Sequence, residues 1–456
     1  MGKLWHFMGA LLAVYLLAGL SSCSKDWLEA KPDKSVVVPS TIGDLQLLLD
    51  NHQVFNIYQA SGLGEISAGD FYISQASWLS LFTVQERSAY IWEKTADFYK
   101  GEQSADWEGA YARILNANLV LKSLQGLKPG ADPATWNNVK GSALFFRAFD
   151  FFNLAQEYCK VYDAGNAPVE LGLPLRLDYD VNISVKRSNL QETYDQVIKD
   201  LKEAAPMLDK IPLYKTRPSR QAVYALLARS YLSMERYAEA GLYVDSALQI
   251  QHQLMDYSKL PTNGTYSIAR FNPEVIFHST FTYGIFNTSR LLVEPALLNA
   301  YAEDDLRKRV FFTPVNNGMT YRGSYGGDKN LFGGLAIDEL YLIRAESSAR
   351  LGALDAALKD LNQLLQTRWS GNYIPIVAHD QEAVLRYVLA ERRKELAFRG
   401  IRWTDLRRLN KDYRFAVNLS RTINGQTYIL MPADKRYVLP IDEIEIKLAG
   451  IPQNDR

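Results

Sequence analysis

The chain has 456 residues, and its 51 lysines and arginines balance 51 aspartates and glutamates, so the formal net charge is zero. This balance excludes a broad electrostatic affinity for nucleic acid, and we expect no nucleic-acid partner. Two cysteines in so long a chain argue against a fold held by disulfides, whereas 27 tyrosines and 8 tryptophans make the composition unusually aromatic. Aromatic faces stack on sugar rings and peptides, although most such rings belong to the core.

The first 22 residues have the pattern of a bacterial signal peptide. Lys3 supplies a positive charge, and Leu4–Leu20 is apolar but short for a membrane span. Leu20-Ser21-Ser22-Cys23 has the arrangement at which such a signal is cut before a cysteine that carries lipid. We predict lipidation at Cys23, attachment to the membrane through that lipid, and a single domain over residues 23–456. The alternative is a secreted soluble protein in which Cys23 has no such role.

Apolar residues recur at helical spacing through most of the remaining chain. A weaker pair of helices is predicted within Tyr111–Leu124 and Val139–Tyr158, and another helix within Leu190–Leu208. The clearest pair lies within Arg220–Ile250, where small and large apolar residues surround a short polar turn. A similar pair follows within Leu340–Trp369, offset by 117 residues. This pattern is typical of tetratricopeptide-like helix pairs and predicts an all-α fold.

Long insertions separate the predicted helices, at about residues 62–92, 261–332 and 369–379. They are rich in glycine, asparagine and aromatic residues. Within the second insertion, Glu274–Phe281 has the composition of a short strand, so we expect a few short strands beside the helices. Loops on a rigid scaffold commonly carry binding residues, and the insertions are therefore where we expect a ligand to bind.

No motif in the sequence is typical of an enzyme. The histidines are isolated, without an HExxH motif or a His/Cys cluster, so we predict no metal site and no cofactor. Glu391 and Glu395 are one helical turn apart, but basic residues three or four positions away, including Arg399, favour a structural ion network over an acid/base pair. Cys159 lies among apolar residues and is expected to be a buried thiol.

Eight segments, in the same order along the chain, resemble the SusD/RagB family of outer-membrane nutrient-binding lipoproteins. The most specific are Glu391–Gly400 and Arg402–Arg408. The other segments are Cys23–Pro32, Gly141–Phe149, Gly172–Arg176 with Lys186–Ser188 and Tyr194, Asn272–Phe277, Asp304–Arg307, and Leu439–Asn454.

The resemblance implies one domain built on four tetratricopeptide-like helix pairs, lipid-anchored at the cell surface in the outer membrane. Its partner would be a SusC-like TonB-dependent barrel transporter, over which the domain lies as a lid. Family members bind glycans in many cases and peptides in some, so we expect a polysaccharide or oligosaccharide ligand and no enzymatic activity. Two alternatives stay open, namely an oligopeptide ligand, and a lid of the transporter that binds no ligand itself.

No family motif marks individual ligand-binding residues, so candidates are chosen on chemical grounds from the first two insertions. They are Asp70, Tyr72, Trp78, Tyr283, Tyr321, Arg322 and Tyr325. The aromatic rings would stack on the ligand, while Asp70 and Arg322 would form hydrogen bonds with hydroxyl groups or a peptide end. For each residue taken alone, the alternative is that it packs its loop against the helical scaffold.

Overall fold

The computed structural model describes residues 39–58, 61–94, 98–130, 132–261 and 264–456. Residues Thr41–Arg456 form one compact unit. The predicted signal peptide and the lipidation site at Cys23 lie outside the described residues. Within the described ranges, no helix is both long enough and apolar enough to cross a membrane.

Helices make up most of the regular structure, which confirms the predicted helical fold class. In chain order they are α1 (Ile42–Leu49), α2 (His52–Phe55), α3 (Gly62–Ser67), α4 (Gln75–Leu79), α5 (Val84–Tyr90), α6 (Ala105–Gln125), α7 (Pro133–Tyr158), α8 (Leu190–Ala204), α9 (Arg220–Ser233), α10 (Tyr237–Leu248), α11 (Pro295–Leu298), α12 (Leu306–Phe311), α13 (Ile337–Arg350), α14 (Leu354–Gln366), α15 (Gln381–Glu395), α16 (Arg402–Leu409) and α17 (Glu443–Ala449).

The strands are short, and each pairs with one antiparallel partner. The pairs are β1 (Phe71–Tyr72) with β6 (Leu292–Val293), β2 (Leu171–Pro174) with β3 (Arg187–Asn189), β4 (Val275–Phe277) with β10 (Leu335–Ala336), β5 (Thr280–Phe281) with β9 (Leu331–Phe332), β7 (Phe312–Val315) with β8 (Gly318–Tyr321), and β11 (Leu419–Ile423) with β12 (Gln426–Leu430). The predicted strand at Glu274–Phe281 is thus two shorter strands, β4 and β5.

The long helices pack in series. Helix α6 packs on α7, α7 on α8, α8 on α9, α9 on α10, and α10 on α13, which also contacts α14 and α15. Side-chain caps fix several of their first turns. In α8, the Asn189 side chain accepts a hydrogen bond from the Glu192 backbone N–H, and the Glu192 carboxylate accepts one from Asn189. Such a capping box satisfies two backbone donors that a helix leaves free at its start.

The two clearest helix pairs are related as the sequence predicts. Helices α9 and α13 begin 117 residues apart, at Arg220 and Ile337, and each pair is joined by a three-residue turn. The turns match in backbone conformation, because Glu235 and Gly352 occupy the same turn position with positive φ angles of 58° and 84°. Left-handed residues commonly end a helix in this way, and glycine adopts that conformation with the least strain.

The main core surrounds α7, whose C-terminal two thirds are buried on all sides. Phe145 and Phe149 stack on each other, and both contact Phe277 of β4 edge-on, at centroid distances of 4.9 and 5.4 Å. Cys159 ends this helix and is fully buried. Burial raises the pKa of its thiol to about 11, and the prediction of a buried thiol is confirmed.

Candidate functional site

Three segments that are far apart in sequence meet at one face of the molecule. Strand pairing sets Tyr72 of the first insertion opposite Leu292 of the second. A Cβ atom added at Gly318, at the tip of the β7–β8 hairpin, would lie 3.6 Å from the Tyr72 hydroxyl. The Gln75 side-chain amide donates a hydrogen bond of 3.2 Å to Asn424, in the turn between β11 and β12. We call these segments, 72–83, 316–318 and 424–425, the loop face.

The loop face presents apolar and aromatic side chains to solvent. Phe82 is 94% exposed and Leu79 is 62% exposed, while Trp78 and Tyr72 are half-buried. The Trp78 indole N–H donates a hydrogen bond of 3.2 Å to the backbone carbonyl of Arg87, which fixes the ring against α5. An exposed aromatic surface on a braced loop is suited to stacking on a ligand, since little side-chain freedom is lost on binding.

The β11–β12 hairpin anchors the first insertion through Arg421. The Arg421 guanidinium lies 4.0 Å from the centre of the Tyr90 ring and donates hydrogen bonds to the backbone carbonyls of Tyr90 and Ile66. Burial lowers the pKa of Arg421 to about 10. Sequence reasoning missed this residue, because nothing near Arg421 indicates a contact more than 300 residues away.

Asp70 lies below the loop face, where it acts as an anchor for the loop. Its side chain is 1% exposed, and one carboxylate oxygen accepts a hydrogen bond of 2.7 Å from Arg393 on α15. The Asp70 backbone carbonyl accepts a hydrogen bond from the Glu294 backbone N–H. The first insertion is therefore fastened both to α15 and to the second insertion.

Two of the predicted tyrosines lie in the interior. The Tyr325 hydroxyl donates a hydrogen bond of 2.6 Å to Glu274, and its side chain is 1% exposed. Tyr321 stacks on Phe398 with 4.4 Å between ring centres, and it is also buried. A ligand would reach these rings only if the surrounding packing opened, so their predicted role in binding stays a prediction.

The remaining two candidates of the second insertion also have protein partners. The Tyr283 hydroxyl donates a hydrogen bond of 3.0 Å to Asp106 on α6. Arg322 donates hydrogen bonds to the backbone carbonyls of Gly264 and Arg309, which tie two parts of the insertion together. Of the seven predicted residues, the structure brings only Tyr72 and Trp78 to the loop face with partly exposed side chains. Phe82 and Leu79, which sequence reasoning did not select, join them there.

Comparison with protein-family models decides the family. A model described as "Starch-binding associating with outer membrane" matches residues 26–232, and the model of the SusD family matches residues 337–453. Together they span more than half of the chain. The chain belongs to the SusD/RagB family.

Individual relatives of this SusD-family chain agree with that assignment. A segment of 115 residues is 32% identical to SusD-like protein P38 of Formosa agariphila, and it covers 24% of this chain and 22% of that protein. A SusD superfamily protein from Bacteroides thetaiotaomicron superposes with a TM-score of 0.74 at 21% identity, covering 91% of this chain and 100% of that one. A SusD-like carbohydrate binding protein from Bacteroides vulgatus gives 0.69 at 20% identity, covering 90% and 97%. At these identities the solved structures show the shared fold.

The motif that most specifically carried the SusD/RagB resemblance forms a buried ion network. Arg307 pairs with Glu391 at 2.6 Å and with Glu395 at 3.0 Å, and Arg368 pairs with Glu395 at 2.8 Å. The prediction that Glu391 and Glu395 are structural is therefore confirmed. Each carboxylate is tied to arginines, unlike a catalytic pair that faces an open space for substrate.

One detail of that prediction was wrong. Arg399 does not pair with Glu395 but with Asp338 of α13, at 3.1 Å. Helix α15 ends at Glu395, so the four-residue spacing to Arg399 is no longer a helical turn.

A group of three buried carboxylates within this network has the geometry of a metal site. Oxygen atoms of Glu274, Asp338 and Glu395 lie within 4.8 Å of one another. Arg368 pairs with Glu274 and Glu395, and Arg399 pairs with Asp338. The arginines already offset the negative charge of these carboxylates. We therefore assign the group a structural role, in which it holds the second insertion against α13 and α15.

Proposed function

We propose that this SusD-family protein binds a glycan at the loop face and delivers it to a SusC-like TonB-dependent transporter in the outer membrane, to which lipid on Cys23 anchors it. The observation that carries the proposal is the exposure of Tyr72, Trp78 and Phe82 on one segment, which the hydrogen bonds of Gln75 and Trp78 brace. The family description as starch-binding and associated with the outer membrane supports the same ligand class and location. The carbohydrate-binding relative from Bacteroides vulgatus has the same fold.

The chemistry of the loop face favours binding without turnover. Its three segments contain no aspartate or glutamate, so they lack the carboxylate pair that most glycoside hydrolases use. Aromatic rings and amide side chains are instead available, from Trp78, Gln75 and Asn424 for example. The rings would stack on the apolar face of a pyranose, and the amides would form hydrogen bonds with its hydroxyl groups.

The test compares two matched tryptophans in the mature chain from Ser24 onward, which contains the whole compact unit. Trp78 and Trp136 are both half-buried, and each indole N–H donates to a backbone carbonyl nine residues away. Calorimetric titration against polysaccharides, oligosaccharides and a protein digest should show saturable binding to one glycan class. We expect Trp78→Ala to weaken it about fivefold, and Trp136→Ala on α7 to leave it unchanged.

Other results of the titration would redirect the proposal. Binding to the protein digest alone would favour an oligopeptide ligand, and no binding across the panel would favour a lid that acts only with its transporter. Equal losses in both tryptophan variants would move the binding site away from the loop face. Anchoring is tested separately, because Cys23→Ala should release the full-length protein from the outer-membrane fraction.

A further inference from the structure

A cavity of about 500 Å³ lies away from the loop face and shares no residue with it. It is formed by the segment after α7, the start of α8, the end of α16, the turn after β12 and the C-terminal tail. Val161, Ala167, Leu190 and Val438 give it apolar walls. The volume is within the range of small-molecule sites in proteins, and charged residues complete the lining.

The wall of the cavity contains a buried cation, Arg407. Its side chain is 5% exposed, and its guanidinium donates hydrogen bonds to the backbone carbonyls of Gln156 and Cys159 at the end of α7. Among the described residues, it takes part in no ion pair with a carboxylate. Burial raises the pKa of nearby Glu157 well above its usual range, and no ion pair joins this acid to Arg407.

Several other buried arginines pair with carboxylates, whereas Arg421, like Arg407, donates to backbone carbonyls. Arg307, Arg368 and Arg408 each pair with at least one carboxylate at 3.0 Å or less. A buried charge without a counter-ion is costly, and Arg407 is only partly compensated by the carbonyl dipoles at the end of a helix. An anionic group entering the cavity would supply the missing negative charge.

The rim of the cavity is electrically balanced. Each of the four carboxylates in the cavity lining pairs with a basic residue. Lys160 pairs with Glu170 at 2.8 Å and Lys435 with Asp455 at 2.5 Å, while Asp163 pairs with Lys411 at 3.5 Å and Asp434 with Arg436 at 2.7 Å. Within each pair the positive and negative charges offset each other, so the rim favours neither sign of charge. Discrimination between an anion and a neutral ligand would therefore come from Arg407.

We propose that this cavity is a second ligand site, which binds a small organic carboxylate with an apolar body. The carboxylate lies against the Arg407 guanidinium, and the apolar body packs on Val161, Leu190 and Val438. Charge-assisted hydrogen bonds of this kind are about twice as strong as neutral ones, so the site separates an acid from the alcohol of the same chain length. Ligands of the loop face do not compete for this site.

The experiment measures calorimetric binding of octanoate and, as its neutral counterpart, octanol to the mature chain. We expect octanoate to bind about tenfold or more tightly than octanol. Val161→Trp should abolish octanoate binding by filling the cavity. Val169→Trp is the matched control, because Val169 is exposed in the same segment and does not line the cavity.

A second variant tests the charge itself. Arg407→Gln keeps a hydrogen-bond donor for the end of α7 but removes the cation, and it should reduce octanoate affinity to that of octanol. Thermal unfolding and far-ultraviolet circular dichroism show whether this variant is folded, and if it is not, the Val161→Trp and Val169→Trp pair decides. Equal affinities for octanoate and octanol in the unmodified protein, no octanoate binding, or unchanged binding by Val161→Trp would each overturn the proposal.

Discussion

The helix pairs and the second insertion are stabilised in different ways. In each of the pairs α9–α10 and α13–α14, a three-residue turn joins two helices that bury small and large apolar residues. Examples are Ala240 on α10 and Leu361 on α14. The second insertion also packs apolar residues such as Phe277 into the core, but buried polar contacts between distant residues hold it as well, such as Tyr325 to Glu274 and Glu274 to Arg368. Aromatic residues in a long insertion therefore need not form a binding surface, because here Tyr325, Tyr301 and Tyr283 donate hydrogen bonds to protein partners.

The largest effect should follow from breaking the network that holds the insertion. Arg368→Ala leaves the buried carboxylates of Glu274 and Glu395 without their shared cation, and we expect it to lower the free energy of unfolding by about 3–5 kcal/mol. The measurement is equilibrium unfolding in urea.

Arg386→Ala is the control for that substitution. Arg386 pairs with Glu382 on the same helix, α15, but both side chains are well exposed, so its loss should cost less than about 1 kcal/mol. Similar losses for the two arginine variants would contradict the view that the buried network supports the insertion.

A smaller loss is expected from the helix pairs, where apolar packing can relax. Leu361→Ala removes a fully buried side chain from α14 and should lower the free energy of unfolding by about 3 kcal/mol. Leu242→Ala, on the exposed side of α10, should change it by less than about 0.5 kcal/mol. If the two leucine variants unfold at the same urea concentration, local apolar packing does not explain the stability of these pairs.

The most gradual effect concerns pH and the first insertion. Glu65 on α3 is fully buried, and one carboxylate oxygen accepts a hydrogen bond from the Gly400 backbone N–H. Burial, with a further contribution from Asp70, raises its pKa to about 8. The folded protein therefore keeps the proton at pH values where the unfolded chain, with a carboxyl pKa near 4.5, has released it.

Stability from Glu65 is thus present at low pH and is lost as the pH rises from about 4.5 to about 8. Relative to Glu65→Gln, the unmodified protein should lose roughly 1 kcal/mol of unfolding free energy per pH unit in this window. Urea unfolding of both proteins at several pH values measures the difference. A difference that does not change with pH would show that Glu65 is ionised in the folded state.

The helical scaffold could be predicted from the sequence because its signals are local. The small–large pattern and the 117-residue offset gave the α9–α10 and α13–α14 pairs, down to the matching turn positions of Glu235 and Gly352. Contacts such as Arg421 to Tyr90 could not be predicted in this way, since each is defined only by the folded chain. The Arg399 error has a related cause, because it assumed that α15 continued beyond Glu395.

For the candidate site, the sequence indicated a segment of the loop face, but only two of the seven selected residues lie there. The first insertion supplies Tyr72 and Trp78 to the loop face, as selected from its composition. Sequence alone does not separate an exposed ring such as Phe82 from a buried one such as Tyr325, because both lie in polar, irregular segments. Tyr325 is buried because its hydroxyl donates a hydrogen bond to the buried carboxylate of Glu274. That partner is 51 residues away in the sequence, so the contact could not be predicted from the residues around Tyr325.

The attachment of Arg421 to Tyr90 and Ile66 also sets an order of events during biogenesis. The two hydrogen bonds join residues that are 331 and 355 positions apart. Contacts between such distant positions form late, because most of the intervening chain must first be ordered. The first insertion therefore remains incomplete until nearly the entire polypeptide has been synthesised. A protein truncated before β11 would carry the aromatic residues of the loop face without the clamp that shapes it.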